Sequence, residues 1–404
     1  GSYTPQFDVA GTHNTYLLQQ KAEAVLESHP KDEPMFLYVS YPNAHLPLQV
    51  PDDILISHNT TLKKVPNLDR RKFAGLMVAL DQAIANLTDA IKTSGLYDQT
   101  ILIVQSDNGG LITEMGGGNN YPLRGEKKYI YEGGTRVHGF IHSPLIPKTK
   151  TQQWYNNMFH ISDWMPTILE GILGMQLNEI LALYPEYVDI DGLNHWNAIV
   201  GDMDMAPRDE LLYNIDYLDS AGDYIGYYRA GLRVGDWKLV WNEKNLSSYE
   251  VSTDFNEHVM SVEIDGRVTA LYNISADPNE QFDLKSAYPM QMKKMLQKIV
   301  SKYLPSMTES GFKSLDPGCY LTWDSHHKMM QPWVSDDKES DYLANAAARD
   351  IFEDATFDEQ GLYNSLAVDV EISSWIEDLS VQLRDMGIME EDEPHWEDDW
   401  WKRP

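Results

Sequence analysis

Residues 100–105 (TILIVQ) carry no charge and end directly in Ser106-Asp107-Asn108-Gly109-Gly110. A short apolar run closed by a turn signal reads as a buried strand. Strands of this kind belong to sheets covered by helices. Ligands of open α/β sheets collect at the carboxyl ends of their strands. The loop after residue 105 is therefore both a fold marker and a candidate site. Asp107 and Asn108 offer hard oxygen donors suited to Ca²⁺ or Mg²⁺, and the glycines after them let the backbone turn tightly. Taken alone, the same four residues also make an ordinary turn.

The surrounding pattern agrees with a layered α/β fold. Residues 16–28 read as an amphipathic helix and residues 35–41 (MFLYVSY) as a buried strand. Residues 68–94 read as a long helix, with Phe73, Leu76, Met77, Leu80, Ile84, Leu87 and Ile91 at helical spacing. Residues 135–142 suggest another strand, and residues 161–173 another helix. Strands alternating with helices predict a mostly parallel sheet. The pattern changes near residue 206. Residues 227–241 and 268–274 read as antiparallel strands, followed by a helix over 288–303. The expected organisation is a large α/β domain over 1–205, a smaller α+β domain over 206–315 and an acidic extension over 316–404. One amphipathic helix is expected there, with Val368, Ile372, Trp375, Ile376, Leu379 and Leu383 on a stripe.

Charge narrows the function. The net charge is −30, and residues 335–404 carry 21 acidic against 5 basic side chains. Nucleic acid needs a basic footprint and is not an expected partner. No run approaches the ~20 apolar residues of a membrane span. Four Asn-x-Ser/Thr sequons, at Asn59, Asn86, Asn245 and Asn273, point toward the secretory route. The single cysteine, Cys319, is then either a disulfide partner for another segment or a buried thiol.

Two more features carry chemistry. His45 lies in residues 41–51 (YPNAHLPLQVP), just beyond the strand expected at 35–41, at the sheet edge shared with Asp107. A histidine there can bind an oxyanion or act as a general acid, although alone it reads as readily as a structural residue. Arg124 and Lys127 lie in a glycine-bracketed basic loop, residues 116–136, inside an acidic protein. Such a loop can hold an anion or be simply solvated.

Together these stretches resemble the sulfatase family, most closely its arylsulfatase B-like branch. The likeness rests on residues 45–51 (HLPLQVP), 106–110 (SDNGG), 117–125 (GGNNYPLRG) with Lys127, 132–136 (EGGTR), 160–166 (HISDWMP) and 207–216 (PRDELLYNID), in family order from residue 15 to Cys319. It implies an alkaline-phosphatase-like, mostly parallel sheet flanked by helices. It implies that Asp107 and Asn108 are two ligands of an active-site Ca²⁺, with Mg²⁺ the lesser fit. It implies that His45 and Lys127 bind the substrate sulfate, with Arg124 beside them. The family's nucleophile is a formylglycine made from cysteine in a Cys-x-Pro-x-Arg motif.

The departure from the family is the absence of that motif. Cys319 stands in Asp-Pro-Gly-Cys-Tyr, without the required proline and arginine. The late cysteine of arylsulfatase B-like proteins pairs with their N-terminal segment. The resemblance therefore implies a companion segment or chain, disulfide-linked through Cys319, that brings the formylglycine and the remaining metal ligands. The expected function is sulfate-ester hydrolysis on sulfated sugars or aryl sulfates, in a secreted or lysosomal protein. The alternative is a catalytically inactive, acidic binding or matrix protein of the same fold.

Overall fold

Asn67 and Gly95 bound the longest helix. The Asn67 side chain accepts from Arg70 N at 3.0 Å, and Gly95 closes the helix at φ +78°, where a side chain would be strained. In the computed structural model this helix, α4, spans Leu68–Ser94, as its periodicity predicts. Its buried stripe is Gly75, Leu76, Ala79, Ala83, Leu87 and Ile91. Met77, expected on the stripe, is 42% exposed. Three of these six are small, and a Cβ on Gly75 would sit 2.7 Å from the Val50 side chain. Helix α1 (Asn14–Ser28) starts at the His13 cap and packs its Ala22 and Leu26 against Leu87 and Ile91. Between them come the short helices α2 (Asp52–Ser57) and α3 (Asn59–Leu62), with Ile54 and Leu62 buried against Ala79.

The structure describes residues 9, 11–112, 116–183, 190–201, 206–218, 227–246 and 263–306. The chain divides into one unit of residues 1–6 with 311–404 and another of residues 7–310. All described residues belong to the second. Cys319, the stripe expected at 368–383 and the acidic extension lie outside them.

Residues 35–41 depart from expectation. They run extended but join no ladder among the described residues. Met35 and Val39 pack against the α1–α4 core, while Phe36 and Tyr38 are 79% and 80% exposed. The apolar run is covered on one face only. Strand β1 (Leu102–Gln105) forms where the TILIVQ run predicts it, and pairs with β2 (Gly139–His142). That pairing is antiparallel, and among the described residues no parallel ladder forms.

After residue 206 the expected antiparallel strands appear as a four-stranded sheet in the order β3 (Glu210–Leu218), β4 (Tyr227–Val234), β5 (Trp237–Leu246), β6 (Glu263–Asn273). Gly235 and Asp236 turn β4 into β5, with Gly235 at φ +55°. Val240, Leu246, Ala270 and Tyr272 of this sheet bury Ile130 and Tyr131. The sheet thereby packs directly on the glycine-bracketed loop. The helix Pro289–Lys298 follows and packs on β5 through buried Met292, Met295 and Leu296.

Candidate active site

Three chain segments meet at one edge. The first is the His45 loop, held from beneath by the helices. The Asn43 side chain accepts from Thr15 Oγ1 at 2.6 Å and donates through Nδ2 to Leu76 O at 2.9 Å. His13 Nε2 lies 2.8 Å from Gln49 O. Within the loop, His45 Nδ1 is 2.8 Å from Leu46 O. A carbonyl can only accept, so Nδ1 carries the proton and Nε2 presents a lone pair. That lone pair faces Lys127 Nζ at 3.2 Å. The two residues stand 82 positions apart in sequence.

The second and third segments are the Ser106–Gly110 loop and the basic loop that carries Lys127. Their backbones are laminated. Gly109 N donates to Gly134 O at 2.9 Å, and a Cβ on Gly109 would sit 1.8 Å from Gly133 O. A Cβ on Gly133 would sit 2.3 Å from Gly125 O. Only glycine permits either approach. The Asn120 amide binds the loops together: Oδ1 accepts from Gly110 N, and Nδ2 donates to Gly110 O and Gly125 O. Lys127 N donates to Gly110 O at 3.4 Å. Lys127 thus touches the Asp107 loop through its backbone and His45 through its side chain.

Asp107 is exposed and Asn108 half-buried. Asp107 Oδ1 accepts from Asn108 N at 2.8 Å, and Asn108 Nδ2 donates to Gly109 O at 2.8 Å. Asp107 Oδ2 and Asn108 Oδ1 make no hydrogen bond among the described residues. Two hard oxygens of this kind suit a divalent cation as part of its shell. Ca²⁺ takes six to eight, as a rule of thumb about three times this number. Among the described residues no group of three or more His, Cys, Asp or Glu could hold a metal.

Arg124 sits apart from these groups. Its guanidinium donates to Leu246 O, Tyr272 OH, Glu280 O and Asn245 Oδ1, and lies 4.3 Å from the centre of the Tyr131 ring. It joins the basic loop to the C-terminal sheet. Of the four sequons, Asn59 and Asn86 are exposed on α3 and α4. Asn245 is half-buried against Arg124, and the Asn273 side chain accepts from Ala276 N.

Two buried charge networks went unread in the sequence. Lys238 of β5 is fully buried, 2.8 Å from Glu132 Oε1 and 2.9 Å from Glu280 Oε1, with Nζ 4.3 Å from the Tyr213 ring centre. Glu280 also accepts from Glu132 N at 2.7 Å. Burial raises the Glu132 carboxyl, but the Lys238 ammonium overrides it and holds Glu132 below the ordinary carboxylate range. Burial wins at Glu280, which is raised. The second network is Asp163, forked by Arg208 and 3.2 Å from His195 Nε2, with Tyr155 OH 2.7 Å from His195 Nδ1. Burial raises the Asp163 carboxyl, but hydrogen bonds from His195, Arg208 and backbone amides override it and hold it well below the ordinary range.

A family model described as Sulfatase matches residues 2–174, the span containing His45, Asp107, Asn108, Arg124 and Lys127. Mouse arylsulfatase J is 33% identical over 306 residues, which are 72% of this chain and 48% of that protein. The chain belongs to the sulfatase family. Human arylsulfatase A is 25% identical over 264 residues, covering 65% of this chain and 46% of that protein. This sulfatase-family chain spans about half the length of those relatives. Its fold is the alkaline-phosphatase-like α/β fold of sulfatases. The solved structure of Ps i-CgsB in complex with k-i-k-neocarrahexaose is 22% identical with a TM-score of 0.58, covering 82% of this chain and 61% of that one. A Bacteroides thetaiotaomicron structure from work on the metabolism of multiple glycosaminoglycans has a TM-score of 0.52 at 22% identity, covering 71% of this chain and 54% of that one. Among the described residues no helix is long and apolar enough to cross a membrane.

Proposed function

We propose that this sulfatase-family chain serves the hydrolysis of sulfate esters, with His45 and Lys127 gripping the sulfate. The observation that supports it is the 3.2 Å approach of Lys127 Nζ to His45 Nε2, on a loop whose backbone is tied to Gly110. An ammonium has three N–H donors. One points to His45, and two are left for sulfate oxygens. Charge on those oxygens grows as the ester bond breaks, so a fixed cation lowers the barrier. The Lys127–His45 pair can also hold a proton between two nitrogens, ready for the departing alcohol oxygen.

Asp107 Oδ2 and Asn108 Oδ1 would hold Ca²⁺, with Mg²⁺ the lesser fit; a cation there would polarise the sulfate. In this reading a formylglycine is the nucleophile, and it comes from outside these 404 residues, because Cys319 lacks the proline and arginine of the motif. It is carried by the same longer polypeptide or by a companion chain tied through Cys319. Arg124 acts by holding the basic loop rather than by touching sulfate. The substrate class is a sulfated sugar, with aryl sulfates as reporters. The four sequons support the secretory route, with Asn59 and Asn86 the accessible acceptors.

Turnover of 4-nitrocatechol sulfate by the full-length protein tests the reading. Lys127→Ala is expected to lower kcat by roughly a hundredfold, the usual effect of removing one oxyanion donor. Undiminished turnover would overturn the assignment. Electrophoresis without reductant tests the tether: a species larger than the 46.2 kDa chain that splits on reduction is expected, and one unchanged band removes the Cys319 link.

A further inference from the structure

In a chain of net charge −30, residues 63–72 hold five cations, Lys63, Lys64, Arg70, Arg71 and Lys72, against one acid, Asp69. They surround the joint between α3 and α4. The joint is built: Asn67 caps α4, and Arg71 donates to Val65 O at 2.9 Å and Pro66 O at 3.2 Å. Lys63 and Lys64 are exposed, and Arg70 and Lys72 half-buried. Among the described residues these four make no ion pair and no side-chain hydrogen bond. By contrast, Arg208 pairs with Asp163, Arg229 with Asp216, and Lys298 and Lys302 with Glu210.

This joint borders the site. A Cβ on Gly117 would lie 2.6 Å from Asp69 O and 3.1 Å from Phe73 Cβ, and Gly118 N donates to Leu111 O, next to Gly110. One turn along α4, Leu76 O receives the Asn43 amide that anchors the His45 loop. At ~100° per residue, Lys72 falls on the Leu76 face, one turn before it.

We infer that Lys63, Lys64, Arg70 and Lys72 form a cationic rim that holds further sulfates of a polysulfated sugar chain whose reacting sulfate lies at His45 and Lys127. The inference rests on the sulfatase reading above. A molecule this acidic repels a polyanion at long range, and a positive edge bordering the basic loop reverses that locally, within a Debye length of about 8 Å. A single small sulfate gains little from the rim. A polymer with regularly spaced sulfates gains from each cation.

Titration calorimetry of the full-length protein with inorganic sulfate, a chondroitin sulfate oligosaccharide and polyglutamate tests it. In Lys63→Glu/Lys64→Glu/Lys72→Glu, oligosaccharide affinity is expected to fall at least ten times further than affinity for inorganic sulfate. Equal losses for the two, or none, overturn the rim. Polyglutamate binding as tightly as the oligosaccharide also overturns it, since charge alone is then read. Should the triple variant fail to fold, Lys63→Glu/Lys64→Glu, both exposed, reads the same ratio. Lys127→Ala separates the two readings: inorganic sulfate binding unmoved by it removes the site, whereas a normal oligosaccharide ratio in the rim variants removes only the rim.

Discussion

Lys127 and Lys238 sit on neighbouring parts of one assembly and are used oppositely. Lys127 is half-buried, faces a neutral imidazole nitrogen and pairs with no carboxylate among the described residues. Lys238 is sealed between Glu132 and Glu280 under the Tyr213 ring. Burial lowers the Lys238 ammonium, yet its two carboxylates raise it above the usual lysine range. A lysine locked between carboxylates has its charge answered inside the fold. A lysine without one keeps its charge for a ligand. The two are linked, because Glu132 ends the same loop that carries Lys127.

The comparison breaks most sharply at Lys238. Lys238→Met leaves two carboxyl groups buried without their cation and should cost about 3–5 kcal/mol of stability, read from the urea midpoint. A variant of unchanged midpoint would make the clamp ornamental. Lys127→Ala should do the reverse: kcat falls roughly a hundredfold, while stability moves by no more than ~0.5 kcal/mol. Loss of stability instead would place Lys127 among the structural residues. Gly109→Ala should cost about 1–3 kcal/mol, since its Cβ must displace a peptide carbonyl. A neutral result would show that the loops can part.

The smallest expected effect concerns pH. Asp163 is held below its unfolded value, so its contribution is present above about pH 4 and fades as pH falls. The stability gap between the wild type and Asp163→Asn should therefore narrow by on the order of 1 kcal/mol per pH unit below about 4. A gap constant from pH 6 to 3 would contradict the depressed carboxyl.

Much of this was legible because the signals are local. Helix α4 announces itself through period, cap and C-terminal glycine. The Asp107 loop follows an apolar run, and Lys127 stands in a loop bracketed by glycines. What stayed hidden depends on distant partners. Lys238 meets Glu132 across 106 positions, and nothing near it in sequence names either carboxylate. The only hint is a lysine set in the apolar strand run Trp237-Lys238-Leu239-Val240-Trp241. Arg124 reads as a ligand-facing cation, and four of its five N–H donors go to Leu246, Tyr272, Glu280 and Asn245, more than 100 positions away in sequence. Residues 35–41 read as doubly buried because apolar content does not say which faces find cover. Met77 was misplaced because Ala79 and Ala83, weak in hydrophobicity, hold the buried stripe in its stead.

Contact between Gly109, Gly133 and Gly125 runs peptide plane to peptide plane. The spacing of the loops is therefore set by backbone and by the Asn120 amide, and not by Asp107 or Lys127. Asp107 and Lys127 can be exchanged for other residues while the frame stays where it is. A scaffold arranged this way can change its chemistry without being refolded, and a mutational scan should find the glycines intolerant and Asp107 and Lys127 permissive for stability.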